Sequence, residues 1–190
     1  MAGVGRALAG LGLVTGLVGS RPAPAPAQVL TQSEALRIAF PEPATIERRT
    51  AYLSERELEA ARALAGPGVE VEQSVVTYYV GVRDDRPVGV AYFDAHRVRT
   101  LPEVVMIVVS PEGTVERVEV LKFSEPPEYR LPENWLRQLR GHALTDELAL
   151  KRAIVNMTGA TLSAQAITQA TRRVLALHEV IRPLAGWVAG

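Results

Sequence analysis

Val104-Val105-Met106-Ile107-Val108-Val109-Ser110-Pro111-Glu112-Gly113-Thr114-Val115 is the stretch on which the fold turns. Six apolar residues without a polar break suit a strand buried on both faces. Ser110-Pro111-Glu112-Gly113 then reads as a tight turn, because Pro presets φ and Gly tolerates positive φ. Val115, Val118 and Val120 lead the chain out again to Lys122. A strand, a short turn and a second strand make a hairpin. Upstream, Val69 to Val82 is rich in β-branched and aromatic residues, with Val71, Val75, Val76, Tyr78, Tyr79, Val80 and Val82. Asp84-Asp85-Arg86-Pro87 is the next turn signal, and Val88 to Phe93 the returning strand. Two consecutive hairpins predict an antiparallel sheet of about four strands.

Helical periodicity lies on both sides of this sheet. Ser33 to Phe40 places Ala35, Leu36, Ala39 and Phe40 on one face, and Pro41 and Pro43 stop it. Ser54 and Glu57 form a capping box ahead of Leu58 to Leu64, which ends at Gly66-Pro67-Gly68. After the sheet, Pro132 to Leu139 reads as a short helix closed by Gly141, and Leu144 to Ile154 as another. Leu162 to Ile181 is long and amphipathic, with Ala166, Ile167, Ala170, Val174, Leu177 and Ile181 along one side. The element order predicts an α+β domain in which helices flank the sheet.

Composition narrows the chemistry. Lys plus Arg and Asp plus Glu both number 21, so no large basic field is available to hold nucleic acid. There is no cysteine, which removes disulfides, thiolate zinc sites, iron–sulfur clusters and attached haem. His96, His142 and His178 are scattered without metal-ligand spacing, so no metal is expected. No Gly-x-Ser-x-Gly element or nucleophile–base pair supports a hydrolase. Met1 to Ala27 has the plan of a secretory signal: Arg6, an uncharged apolar run from Ala7 to Gly19, and Ala25-Pro26-Ala27 before Gln28. The run falls short of the roughly 20 residues that span a bilayer. Removal after Ala27 and a periplasmic or extracytoplasmic location are the expectation.

The segment that can carry chemistry is Met157-Thr158-Gly159-Ala160-Thr161-Leu162-Ser163-Ala164, at the start of the long helix. Small side chains and free N–H groups at a positive dipole end can hold a phosphate. From the residues alone, an ordinary helix cap is the favoured reading over anion binding.

This segment resembles the Ser/Thr-Gly-Ala-Thr-x-Ser/Thr motif of the FMN-binding domain family, which includes the periplasmic flavin subunits of the sodium-translocating NADH:quinone reductase and the Rnf complex. Phe123-Ser124-Glu125-Pro126-Pro127-Glu128-Tyr129, with Trp135 to Gly141 behind it, resembles the family's His-x-Glu-Thr-Pro-Gly-Leu strand end and Trp-bearing helix. Glu125 and Pro127 match, while Phe123 stands for His and Pro126 for Thr. The turn from Ser110 to Val115 fits as well, and the likeness runs from about Val75 to Ile181. It implies FMN esterified through its phosphate to Thr161 by a flavin transferase. Thr158, Gly159 and Ala160 would form the recognition turn, and Leu162 and Ser163 would continue it into the helix. Glu125, Tyr129 and Trp135 are the implied neighbours of the isoalloxazine ring; from composition alone the aromatics also read as core plugs and Glu125 as solvated.

The expected function is extracytoplasmic electron transfer, with a membrane-associated redox partner and no substrate of the protein's own. Relatives often have Asp six residues before the modified Thr, where this chain has Val155. The rival expectation is therefore an interaction or sensing module of the same fold, flavin-free or with unlinked FMN. The anticipated organisation is a signal at 1–27, a helical segment at 28–68, the FMN-binding domain at 69–183 and a tail at 184–190. His96-Arg97-Val98-Arg99 reads as an exposed strand end, with phosphate or partner docking as the alternative. Arg172 and Arg173 read as the solvated face of the long helix.

Overall fold

The computed structural model describes residues 29–187, so the expected export signal lies outside the described residues. The fold is α+β. Five strands, β1 (Thr45–Tyr52), β2 (Val75–Arg83), β3 (Arg86–Arg97), β4 (Pro102–Val109) and β5 (Val115–Phe123), form one sheet in sequential order. Every neighbouring pair is antiparallel. The helices are α1 (Gln32–Ala39), α2 (Glu55–Ala65), α3 (Glu133–Leu136) and α4 (Thr161–Ile181), with 3-10 turns at Pro127–Tyr129 and Arg137–Leu139.

The apolar run in β4 is explained by cover on both sheet faces. Val105, Ile107 and Val109 point into the main core with α2 and α4. Met106 and Val108 point to the opposite face, where Ala35, Leu36 and Phe40 of the α1 region pack. Both α1 and α2 begin with a reciprocal capping box, Thr31 with Glu34 and Ser54 with Glu57. Asp84 and Asp85 both take positive φ, 50° and 56°, which lets a two-residue turn close the β2–β3 hairpin between Arg83 and Arg86.

Three expectations need correction. The sheet has five strands, because Thr45–Tyr52, inside the segment read as helical, pairs with β2 along its whole length. Its Glu47, Arg48 and Arg49 follow no period of two, since an edge strand presents few residues to the core. β2 starts at Val75 rather than Val69: Val69 and Val71 are buried but lie in the loop before the strand. Leu144 to Ile154 is not a helix. It is a series of turns in which Lys151 has φ 65° and Leu150 bridges to Ile154. Leu148 and Ile154 are its buried anchors, six positions apart, a spacing that does not put them on one helical face.

Candidate functional site

α4 begins without a side-chain cap. Ala160 occupies the N-cap position and is buried, and the first intrahelical bond runs from the Ala164 N–H to the Ala160 carbonyl at 3.0 Å. The N–H groups of Thr161, Leu162 and Ser163 thus have no intrahelical acceptor, as at any helix start. Gly159, at φ 85°, makes the turn into the helix, a conformation that a side chain would strain. Thr161 is exposed. Its hydroxyl donates to the Met157 carbonyl at 3.3 Å and accepts from Asn156 Nδ2 at 3.2 Å. Asn156 Oδ1 is buried with no hydrogen-bond partner.

The approach to this turn is braced from below. The Trp135 indole N–H donates to the Val155 carbonyl at 2.8 Å, and the Val155 N–H donates to Gln138 Oε1 at 2.9 Å. Trp135 itself is buried in the main core. The Ser163 hydroxyl donates to the Tyr129 carbonyl at 2.6 Å, tying the first turn of α4 to the 3-10 turn after β5. Glu125, only 8% exposed, accepts backbone N–H bonds at Oε1 from Arg99 (3.2 Å), Thr100 (2.8 Å) and Leu101 (2.9 Å). Those bonds, from Thr100 and Leu101 first, hold its carboxyl below the usual carboxylate range. The Arg99 guanidinium lies 5.1 Å from the centre of the Tyr129 ring.

Thr161 stands on a rim between two clefts. One, of about 220 Å³, is walled by Arg99, Tyr129 and the run Gly159 to Ser163. The other, of about 680 Å³, lies between the 146–152 turns, Pro67 and Val69, and the first turns of α4. Lys151, Arg152 and Asn156 also line the larger cleft. The structure therefore brings Tyr129, Gly159, Ala160, Thr161, Leu162 and Ser163 together, with Thr158 exposed on the turn between Met157 and Gly159. Glu125 and Trp135 line neither cleft and act through the backbone they hold. Asn156 is the residue that sequence reading passed over, and Arg99 entered it only through the phosphate- or partner-docking alternative. The His-Arg-Val-Arg run offered a signal for Arg99; nothing local marks Asn156.

Two further readings change. Arg173 is not a solvated side chain: Nε and Nη2 pair with the Asp94 carboxylate at 2.7 and 2.9 Å. Arg172 donates to the carbonyls of Ala65, Thr145 and Leu148, joining α2 and the 145–148 turns to α4. His96 is not exposed either. Its ring bridges Asp94 (2.9 Å) and Glu103 (3.1 Å). Burial opposes its charge, yet bonds to the two carboxylates outweigh that and raise its pKa to about 9. Asp94 is pushed up by burial, but Arg173 and His96 hold it below its ordinary value.

The uncapped N–H groups, the accessible Thr161 hydroxyl, a cation on the cleft wall and a cleft of about 680 Å³ fit a flavin mononucleotide in charge and size. Comparison with known proteins points the same way. Residues 102–176 match the family model of the FMN-binding domain, a span that runs from β4 through most of α4 and includes Glu125, Tyr129, Trp135 and Thr158 to Ser163. No curated protein and no solved structure matches the chain. The resemblance at Thr158-Gly159-Ala160-Thr161 and the match over β4 to α4 coincide on one site, and residues 102–176 are similar to the FMN-binding domain family.

Proposed function

We propose that this chain is an extracytoplasmic electron-transfer flavoprotein whose FMN is linked through its phosphate to Thr161. The observation that carries the reading is the exposed Thr161 hydroxyl at the uncapped start of α4, between two clefts. In the linking step the Thr161 oxygen bonds to the flavin phosphorus as the phosphoanhydride bond of an activated flavin donor breaks. The hydroxyl proton leaves with the displaced phosphate half, so the product has the mass of protein plus FMN less one water. Asn156 and the Met157 carbonyl orient the hydroxyl, and the Gly159 turn leaves room for a flavin transferase to approach. The phosphodiester keeps one negative charge, which the helix terminus stabilises by about 0.3–1 kcal/mol.

FMN supplies the electron-accepting and electron-donating chemistry when bound. The protein's part is to hold it, set the electrostatics around it and present it to a membrane-associated redox partner. An export signal at 1–27 and the absence of cysteine in the sequence both favour an organic redox group outside the cytoplasm.

The test is to co-express the chain with a flavin transferase, denature it, inspect the gel band for flavin fluorescence and record the intact mass. A fluorescent band, heavier by FMN less one water and absent in Thr161→Ala, is the expected result. A dark band of unmodified mass overturns the covalent link, and a native spectrum without flavin overturns the flavoprotein reading altogether. The exposed Val155, where relatives often have Asp, favours the second reading of an unlinked or flavin-free module.

A further inference from the structure

We propose that Arg99 is the cation that binds the flavin phosphate, and that Glu125 is the positioning residue that aims it. The inference rests on the reading that FMN sits at Thr161, and adds how this chain recognises its phosphate end.

Arg99 belongs to the turn between β3 and β4, closed by a bond from the Val98 N–H to the Leu101 carbonyl. A turn at a sheet end has no reason of its own to hold one orientation. Here one buried carboxylate oxygen, Glu125 Oε1, collects three successive N–H groups of that turn and fixes it. The fixed turn lays the Arg99 guanidinium over the Tyr129 ring, and Tyr129 is tied through its carbonyl to Ser163 in the first turn of α4. Two separate anchors, one from the segment just after β5 and one from α4, thus set Arg99 on the wall of the cleft that Gly159 to Ser163 also line.

The guanidinium remains available to an anion. Among the described residues Arg99 makes no ion pair, and its side chain donates no hydrogen bond. Arg97, two residues earlier, instead spends its guanidinium on the Thr100 carbonyl. The contact with the Tyr129 ring uses none of the five guanidinium donors, and a fork of parallel N–H groups matches a phosphate bidentately. The cleft, at about 220 Å³, is below the roughly 300–1,000 Å³ of sites that take a whole drug-sized ligand. It suits the phosphate end, with the ring outside it.

The test separates phosphate from ring. The chain is produced without flavin transferase and titrated with FMN and with riboflavin, which differ only by the phosphate, while flavin fluorescence is followed. The wild type is expected to prefer FMN by about tenfold or more, as for a charge-assisted bidentate bond. Inorganic phosphate at millimolar concentration should compete with FMN and not with riboflavin. Arg99→Gln should cut that preference about tenfold by weakening FMN alone, while Arg117→Gln on β5 controls for loss of one positive charge. Glu125→Ala should act in the same direction, and Glu125→Gln, which keeps a carbonyl acceptor for the turn, should restore most of the preference. Circular dichroism of each variant checks the fold. An FMN-to-riboflavin ratio unchanged in Arg99→Gln overturns the proposal, as does a wild type with no preference or no binding of either. If Thr161 still becomes flavinylated when the transferase is present, only the role of Arg99 falls; if it does not and the native protein shows no flavin spectrum, the flavin reading falls with it.

Discussion

At the scale of single residues, the site separates groups that face the clefts from groups that hold backbone. Thr161 is of the first kind: an exposed hydroxyl at the first position of α4, bonded only to Met157 and Asn156. Thr161→Ala removes those bonds but places the best helix former at N1, so stability should change by less than about 1 kcal/mol. Covalent flavin should vanish, and a urea melt alongside gel fluorescence checks both halves; a large loss of stability would mean that Thr161 is structural. Trp135 is of the second kind, buried in the core with its N–H on the Val155 carbonyl. Trp135→Phe keeps an aromatic ring and orphans that carbonyl, at a cost of about 1–3 kcal/mol. The midpoint potential of bound flavin should hardly move, and a shift of tens of millivolts would instead put the indole beside the ring. The residue types Thr158 to Ser163 were legible in the sequence. The partition of Glu125, Tyr129 and Trp135 into brace, wall and core plug was not, because it depends on which backbone groups lie within bonding distance.

At the scale of elements, α1 depends on one close approach. A Cβ placed on Gly81 in β2 would come within 2.3 Å of the Phe40 ring, which sits at the C-terminal end of α1 on the face opposite α4. Gly81→Ala must displace that ring, at about 1–3 kcal/mol. Flavin attachment at Thr161 should survive, since α4 packs on the other face. Denaturant midpoint and gel fluorescence, measured on the same sample, separate the two effects; an unchanged midpoint would show that the Phe40 contact is dispensable. The strands β2 to β5 were legible because buried apolar residues recur along them. β1 was not, being an edge strand with charged side chains, and the turns at 144–154 were not, because a few buried anchors set their course rather than a repeating pattern.

At the scale of the whole molecule, two histidines set opposite limbs of the pH–stability curve. His96 joins β3, β4 and, through Asp94 and Arg173, α4. Its folded pKa of about 9 lies above the free value of 6.5, so its contribution is complete below about pH 6.5 and is lost as pH rises through about 9. The loss is on the order of 3 kcal/mol. His178 is the reverse case. Burial lowers its pKa to about 4, so its contribution is present above pH 6.5 and is lost as pH falls toward 4. In its neutral form Nδ1 can accept the Tyr92 hydroxyl, 3.1 Å away. Denaturation across pH 4–10 should therefore show stability falling on both sides, and His96→Gln should flatten the alkaline limb between about pH 6.5 and 9. An alkaline limb that persists in His96→Gln would assign it to another group. The same variant should be less stable at neutral pH by about 3–5 kcal/mol, because Asp94 and Glu103 lose a buried partner.

By itself the sequence determined the α+β class, the hairpins of the sheet, the long C-terminal helix and, at its start, a segment that resembles the motif of the FMN-binding domain family. Those features are local: hydrophobic period, turn chemistry and a short motif are written in consecutive residues. Tertiary structure alone decided that Glu125 points at a turn 24 to 26 residues earlier, that Arg99 thereby reaches the cleft beside Thr161, and that Arg173 and His96 are buried partners rather than surface charges. A charged side chain carries no mark in the sequence of whether it will meet water or a carboxylate. The meeting of β3, β4 and α4, distant in the chain, settles it.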